Sequence, residues 1–487
     1  MGKQLYTIYE KARLPGKAIP IYKKNKDNFI GKTKVINNLV LVRWPNGRPC
    51  HLINMWLTNI CATTNATETA KTYAAQISSF VRYCYRNQVS ITEFTEHNFV
   101  AMKEFLVQET IVTPSGVRLA RNNNQTIQIQ KRTLDFLHWI TDNHPEVSIF
   151  KLVGVKDTGA NITVEVKFSK WNGRSYLYHP EIVSPVPYND DKVPIDEETI
   201  QKLQNEIIRK HDVEHLPARS KLKSIKDIDL FTATNIYLYE RRMCLIRTMK
   251  LMGLRPEELH ELPLELNNNI TRTKQITAPT RKRGDPSLVR RFKIDFPSAR
   301  RFNQYLEARQ EYIDFLQSKG IYCLQPNNFF IGENGKALKK SSITKEFDRL
   351  CEGAGLTSSR VCLSMFRHRF VTREINIRLE ARFAKNPHLK NGWTPELRDS
   401  VCLEVAELTG HADPDSLYNY FYTEYKAITS ISSYSEKLRI RDELESAKED
   451  LVNLEHQSRL RKIDLTSELQ LIRTRINEMH SKLFGFE

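Results

Sequence analysis

The chain has 487 residues, 40% of them hydrophobic, and carries 74 Lys and Arg against 57 Asp and Glu, a formal net charge of +17. That length exceeds one compact domain and predicts two or three with real cores, while the charge excess favours a polyanionic partner. Eight scattered cysteines with no C-x-x-C pair argue against a zinc site and a disulfide framework. Without an apolar signal core or a run of about 18 apolar residues, secretion and membrane spanning are not expected, and a cytoplasmic protein with reduced thiols is.

Residues 1–60 mix β-like runs such as Val35 to Val42 with a Pro45-Asn46-Gly47 turn, and no role is read from them. From Thr67 the spacing turns helical: Tyr73, Ile77, Phe80, Val81 and Cys84 share one face, Phe99, Met102, Phe105 and Leu106 a second, and Ile129, Phe136, Leu137 and Ile140 a third. A helical domain is expected over 61–145. Residues 146–192 hold aromatic and basic residues such as Lys167, Trp171 and Tyr176, run into Ser184-Pro185-Val186-Pro187, and read as a linker or insertion. A helix behind Asp196 as N-cap opens the next domain, expected over 193–430. There Phe292, Ile294 and Phe296 alternate with Lys293 and Asp295 as a half-buried strand would, and Asn334-Gly335 marks a hairpin, so this domain is expected to be mixed α/β in the segregated sense. A basic, Pro-containing loop at 385–391 is followed by a helix capped by Thr394 with Pro395 in its first turn. The last region, 431–487, reads as one long charged helix from about Tyr434 to Phe484. Leu444, Ala447, Leu451 and Leu454, then Leu465, Leu469, Ile472, Ile476, Met479 and Leu483, keep 3,4 spacing on either side of Ser458 and Arg461, which suits a coiled coil or a helix folded back on its own domain.

Four short stretches between 193 and 430 carry chemistry. Gly253-Leu254-Arg255-Pro256-Glu257-Glu258-Leu259 supplies an Arg with an acid three residues on, although taken alone it is also a plain helix start. The basic run from Arg281 to Lys293 supplies Lys282, and alone it is also a solvated hairpin tip. Ser364-Met365-Phe366-Arg367-His368-Arg369-Phe370 supplies a second Arg, and Leu408-Thr409-Gly410-His411 leads to Tyr420 nine residues later. A phosphodiester attacked by an oxygen passes through five-coordinate phosphorus with extra charge on its equatorial oxygens, which planar Arg forks hold bidentately. A phenol can form a covalent phosphoester, and a Lys can protonate the departing sugar oxygen. Such a set needs neither metal nor ATP.

The order and spacing of these stretches resemble the tyrosine recombinase (phage integrase) family, specifically over 193–430 and loosely over 67–142, where the helices resemble the family's core-binding domain. The resemblance implies a mainly α multidomain protein, with a helical core-binding domain and an α+β catalytic domain closing around duplex DNA. Tyr420 would attack the scissile phosphate to give a 3′-phosphotyrosyl strand and a free 5′-hydroxyl. Arg255 and Arg367 would clamp the phosphate, Lys282 protonate the leaving oxygen, and His411 and Glu258 assist, with no cofactor and no metal. The implied working unit is a homotetramer on paired DNA sites, serving recombination or integration of a mobile element at the nucleoid. Lys274, Arg281 or Arg283 could substitute for Lys282, and Tyr422 for Tyr420, whereas Tyr418, Tyr422 and Tyr425 recur at helical spacing as packing residues. His368 reads as structural. The chain departs from the family at Ser364, where a His or Lys is usual; a hydroxyl donates one hydrogen bond but brings no charge. That leaves open a DNA-binding architectural relative without catalysis, and a type IB topoisomerase or telomere resolvase would share the same chemistry.

Overall fold

The computed structural model describes residues 4–15, 33–63, 67–113, 116–168, 173, 175–186, 193–212, 227–281, 288–321, 326–356, 361–430, 434–461 and 464–484. It is mostly helical with a few two-stranded sheets, and divides into two units, Met1–Asn189 and Asp190–Glu487.

The first unit begins with antiparallel strands β1 (Tyr6–Pro15) and β2 (Thr33–Val42), paired so that Tyr6 faces Val42. Helices α1 (His51–Thr63), α2 (Thr67–Arg86), α3 (Glu96–Gln108) and α4 (Asn123–Asn143) follow, with a short hairpin of β3 (Thr110–Thr113) and β4 (Gly116–Leu119) between the last two. Capping boxes start α3 (Thr95 with Asn98) and α4 (Asn122 with Gln125). Ile77, Phe80, Val81, Cys84, Phe99, Met102, Leu106, Ile129, Phe136, Leu137 and Ile140 are all buried in one core, where Trp56 stacks on Tyr73 at 5.8 Å. Two regions read apart from this domain belong to the same core. Val40 and Val42 of β2 are fully buried in it, and the 146–192 segment adds Leu152, Val153, Ile162 and Val164 through β5 (Val153–Gly154) and β6 (Ile162–Thr163), followed by β7 (Glu165–Phe168) and β8 (Ser175–Tyr178). The prolines and polar residues that suggest a linker lie at its end; the aliphatic residues before them have a hydrophobic face to cover.

The second unit is a helical body in which, among the described residues, the β structure expected from a mixed α/β domain is one two-stranded sheet with isolated bridges. Its elements are α5 (Glu197–His211), α6 (Ile228–Met252), α7 (Pro256–His260), α8 (Ile270–Thr273), β9 (Gln275–Pro279), β10 (Val289–Lys293), α9 (Phe296–Ser318), α10 (Lys340–Gly353), α11 (Leu363–Lys385), α12 (Pro395–Thr409), α13 (Tyr418–Ser430), α14 (Tyr434–Arg461) and α15 (Thr466–Phe484). Asp196 caps α5, accepting from Thr199 N, and Thr394 caps α12, accepting from Leu397 N. The turn at Asn334-Gly335 forms with Gly335 at φ +70° and a bridge between Ile331 and Ala337. The strand through Phe292 stops sooner than its alternation suggests: Asp295 caps α9 and Pro297 follows in its first turn, so Phe296 opens a helix and is 56% exposed.

The C-terminal region is two helices rather than one. Asp464 Oδ1 accepts from Thr466 N at 3.0 Å and restarts the chain as α15, which packs on α14 through Ile440, Leu444, Ala447, Ile476 and Met479. The acidic side of α14 lies on the unit itself: Glu449 takes Lys250 Nζ at 2.8 Å, Arg301 pairs with Asp450, and Tyr239 donates to Asn453 Oδ1 at 2.9 Å. Of the two readings of this region, the structure has the helix folded back.

Candidate active site

Helix α6 ends where Gly253 turns left-handed at φ +56°. A Cβ there would lie 2.7 Å from Phe370 Cβ, so the end of α6 and α11 meet only because residue 253 has none. This sharp exit sets Arg255 at the N-cap of α7 and Glu258 in its first turn. The fully buried Glu258 carboxylate accepts from Arg255 N at 2.9 Å and from Arg255 Nη1 at 3.0 Å.

A further arginine reaches the same carboxylate. On β10 the alternation buries Arg290 and Phe292 and exposes Arg291, and Arg290 Nη2 lies 2.8 Å from Glu258 Oε1. Arg290 Nη1 donates to the Thr409 carbonyl at 2.6 Å, which also accepts from Arg367 Nη2 at 2.6 Å. Arg367, buried on α11, donates from Nη1 to Gly253 O at 3.0 Å. Helix α12 ends at Gly410 (φ +71°), where an added Cβ would press on Thr280 and Arg290, and this turn presents His411. The Thr409 hydroxyl donates to Val405 O at 2.6 Å and so accepts from His411 Nδ1, also at 2.6 Å, which leaves His411 Nε2 beside Arg367 Nη2 at 3.4 Å.

Tyr420 lies in the first turn of α13, partly buried against an apolar cluster that includes Val371, Ile375, Leu417 and Phe421. Its hydroxyl is 2.5 Å from His368 Nδ1, and the two rings stack with centroids 5.9 Å apart. The structure therefore gathers Arg255, Glu258, Arg367 and His411 into one cluster, with Tyr420 within the electrostatic reach of Arg367. Tyr425 is buried, but the other two tyrosines on α13 are held elsewhere: Tyr418 donates to Asp399 at 2.8 Å, and the exposed Tyr422 accepts from Arg398 Nη1 at 3.0 Å. Ser364 is exposed, 2.9 Å from Cys362 Sγ and one turn before His368.

Lys282, and Arg283 with it, lie outside the described residues. Of the other substitutes, the Arg281 guanidinium pairs with Glu261 and Lys274 Nζ lies 5.9 Å from the Phe296 ring centroid.

Charge in the cluster is unbalanced, with three guanidiniums around one carboxylate. Burial would raise the Glu258 carboxyl, but Arg290, the Arg255 backbone and side chain, and Arg367 together bring it below the ordinary range. Burial, joined by Arg255 and Arg290, brings Arg367 down to about 9 against the opposing pull of Glu258 and Tyr420. The site is arranged to accept an anion. Burial pushes the Tyr420 phenol up to about 12 while Arg367 pulls it down. Among the described residues there is no group of three or more His, Cys, Asp or Glu side chains placed to hold a metal ion, and no helix is long and apolar enough to cross a membrane.

Two contributors escaped the sequence reading. Arg290 had a usable signal in the alternation of Val289 to Lys293; His368 had only its helical offset from Ser364.

No family model and no curated protein matches the chain. Solved structures similar to it include XerH site-specific recombinase bound to palindromic difH substrate in a post-cleavage complex, at 14% identity over 80% of this chain and 85% of that one, TM-score 0.41. The pre-cleavage complex of XerH with difH gives 15% identity over 79% and 86%, TM-score 0.41. XerA recombinase gives 12% over 78% and 97%, TM-score 0.29. Likeness at this level assigns neither family nor activity, which are argued from the site.

Proposed function

We propose that this chain cleaves and rejoins duplex DNA as a site-specific tyrosine recombinase, through a covalent 3′-phosphate on Tyr420. The observation that carries the reading is the pairing of an anion site with a nucleophile: Arg255 and Arg290 share one buried carboxylate, Arg367 lies within its electrostatic reach, and a phenol beside them touches a base. In this reading Arg255 and Arg367 take the non-bridging oxygens of the scissile phosphate and stabilise the charge that grows on them during attack. Glu258 fixes the Arg255 fork and the Gly253 and Thr409 carbonyls fix that of Arg367, so little reorganisation is left for the reaction. His411, held through Nδ1 by Thr409, turns Nε2 toward the Arg367 fork and helps to orient it. Tyr420 attacks, the 5′-oxygen leaves with a proton from Lys282, and the phosphotyrosine conserves the bond so that a 5′-hydroxyl, from the same or a partner duplex, reseals it. The homotetramer on paired sites and service to a mobile element belong to the same proposal.

Duplexes selected from a random-sequence pool by binding to the full chain, then nicked so that a short 5′ fragment diffuses away, provide the test. With chelator present, protein should remain covalently on the 3′ phosphate. Tyr420→Phe should abolish the adduct while leaving folding and DNA affinity near wild type, and Arg367→Ala should reduce it about 100- to 1,000-fold. Adduct surviving Tyr420→Phe but lost in Tyr422→Phe would move the nucleophile. Specific binding without adduct in any variant would favour the architectural role, and relaxation of supercoiled plasmid lacking a selected site would favour a topoisomerase.

A further inference from the structure

We infer that His368 is the base that takes the proton from Tyr420 during attack, an assignment that rests on the covalent reading above. Its Nδ1 is in hydrogen-bond contact with the attacking oxygen. Helices α11 and α13 belong to one apolar cluster that includes Val371, Ile375 and Phe421, Tyr420 packs against it, and its ring stacks on that of His368.

Other groups in the cluster are committed to different work. Glu258 is turned to Arg255 and Arg290, so its carboxylate is saturated by guanidinium donors. His411 is oriented by Thr409 toward Arg367. Ser364, one turn before His368 on α11, carries no basic group. The helix thus sets a base at the phenol from the position four residues further on, where i and i+4 share a face.

The half-buried phenol is protonated at neutral pH, so its O–H donates to Nδ1, which carries the lone pair while the ring proton sits on Nε2. In the forward step the Oη proton moves to Nδ1, the Oη–P bond forms and the P–O5′ bond breaks. The departing oxygen takes its proton from Lys282 or water. The resulting imidazolium returns the proton to Oη when a 5′-hydroxyl displaces the tyrosine, so the same group serves both directions. Arg367 on α11 acts on the phenol, and Arg255 and Glu258 at α7, Arg290 on β10 and His411 after α12 lie around Arg367 in turn.

Full chain carrying 3-fluorotyrosine at position 420 gives a readout without DNA. Its ¹⁹F shift should show an inflection as the His368 ring takes up a proton, one that is lost in His368→Asn and kept in His411→Asn. An inflection that survives His368→Asn, or is absent from the wild type, overturns the assignment. Asn keeps a hydrogen-bonding group near the Nδ1 position and removes only the basicity, which separates proton transfer from packing. On nicked duplexes from the random pool, His368→Asn should form adduct about 100-fold or more slowly and lose the rise of rate with pH. The deficit should persist with a 5′-bridging phosphorothiolate, whose leaving sulfur needs no acid; rescue by that sulfur would place His368 on the leaving group and overturn the assignment. Wild-type rate and pH profile in His368→Asn would overturn the base role and leave the covalent reading standing. No adduct from wild type would remove both, while the fluorine titration still shows whether the pair is coupled.

Discussion

Replacing Glu258 by Gln tests whether one buried negative charge holds the arginine cluster together. The carboxylate is fully buried, within 3.0 Å of Arg255 Nη1 and 2.8 Å of Arg290 Nη2, and it supports the charge on Arg367. Gln keeps the shape but leaves three guanidiniums close together with their compensating charge removed. Losing one partner of a buried pair costs about 3 to 5 kcal/mol. For a unit the size of Asp190–Glu487, with a melting entropy of about 0.6 kcal/mol/K, that is a fall of about 5 to 8 °C in Tm. Urea denaturation and calorimetry at low salt measure the loss. Inorganic phosphate should restore more stability to Glu258→Gln than to wild type, because an anion that binds only the folded cluster replaces the missing charge. The sign with pH follows from the depressed carboxyl. Its contribution is complete above the unfolded value of about 4.3 and is lost as pH falls through the lower folded value, so the gap between wild type and variant narrows in acid. A variant within about 1 kcal/mol of wild type at neutral pH, or a gap that widens on acidification, would refute the argument.

Gly253→Ala should destabilise by about 1 to 3 kcal/mol in urea, since residue 253 adopts φ +56° and its new Cβ meets Phe370; an unchanged midpoint would remove the strain. Glu445 is pushed up to about 7 by burial and by the charge of Glu197. Its folded form is favoured when protonated, so the cost of burying it grows as pH rises from about 4.3 to about 7. Glu445→Gln should therefore be more stable than wild type at pH near 8 and indistinguishable in acid, and a difference independent of pH would count against it. Deleting residues 434–487 uncovers Tyr239 and removes the partners of Arg301 and Lys250, and should lower stability by about 2 kcal/mol or more from re-exposure of the Tyr239 ring. A truncated chain that melts like the full one would show that α14 contributes nothing to its own unit.

The sequence by itself determined what depends on nearest neighbours along the chain. Helical spacing placed Phe80, Phe99 and Phe136 inward, and capping chemistry placed the starts at Asp196 and Thr394. The residue types and order of the four motifs, and the resemblance they carry, marked Arg255, Glu258, Arg367, His411 and Tyr420 as candidates for phosphate chemistry. Tertiary structure decided which groups touch. Whether Arg290 meets Glu258 depends on the register and position of a hairpin, and whether α14 folds back depends on Lys250 and Arg301 lying on α6 and α9. The 146–192 segment joined the first core because an apolar surface elsewhere in that unit needed covering. His368 shows the limit most clearly: reading along the box set it beside Arg367, yet successive residues on a helix point about 100° apart, and only the packing of α13 on α11 brings Tyr420 to its Nδ1.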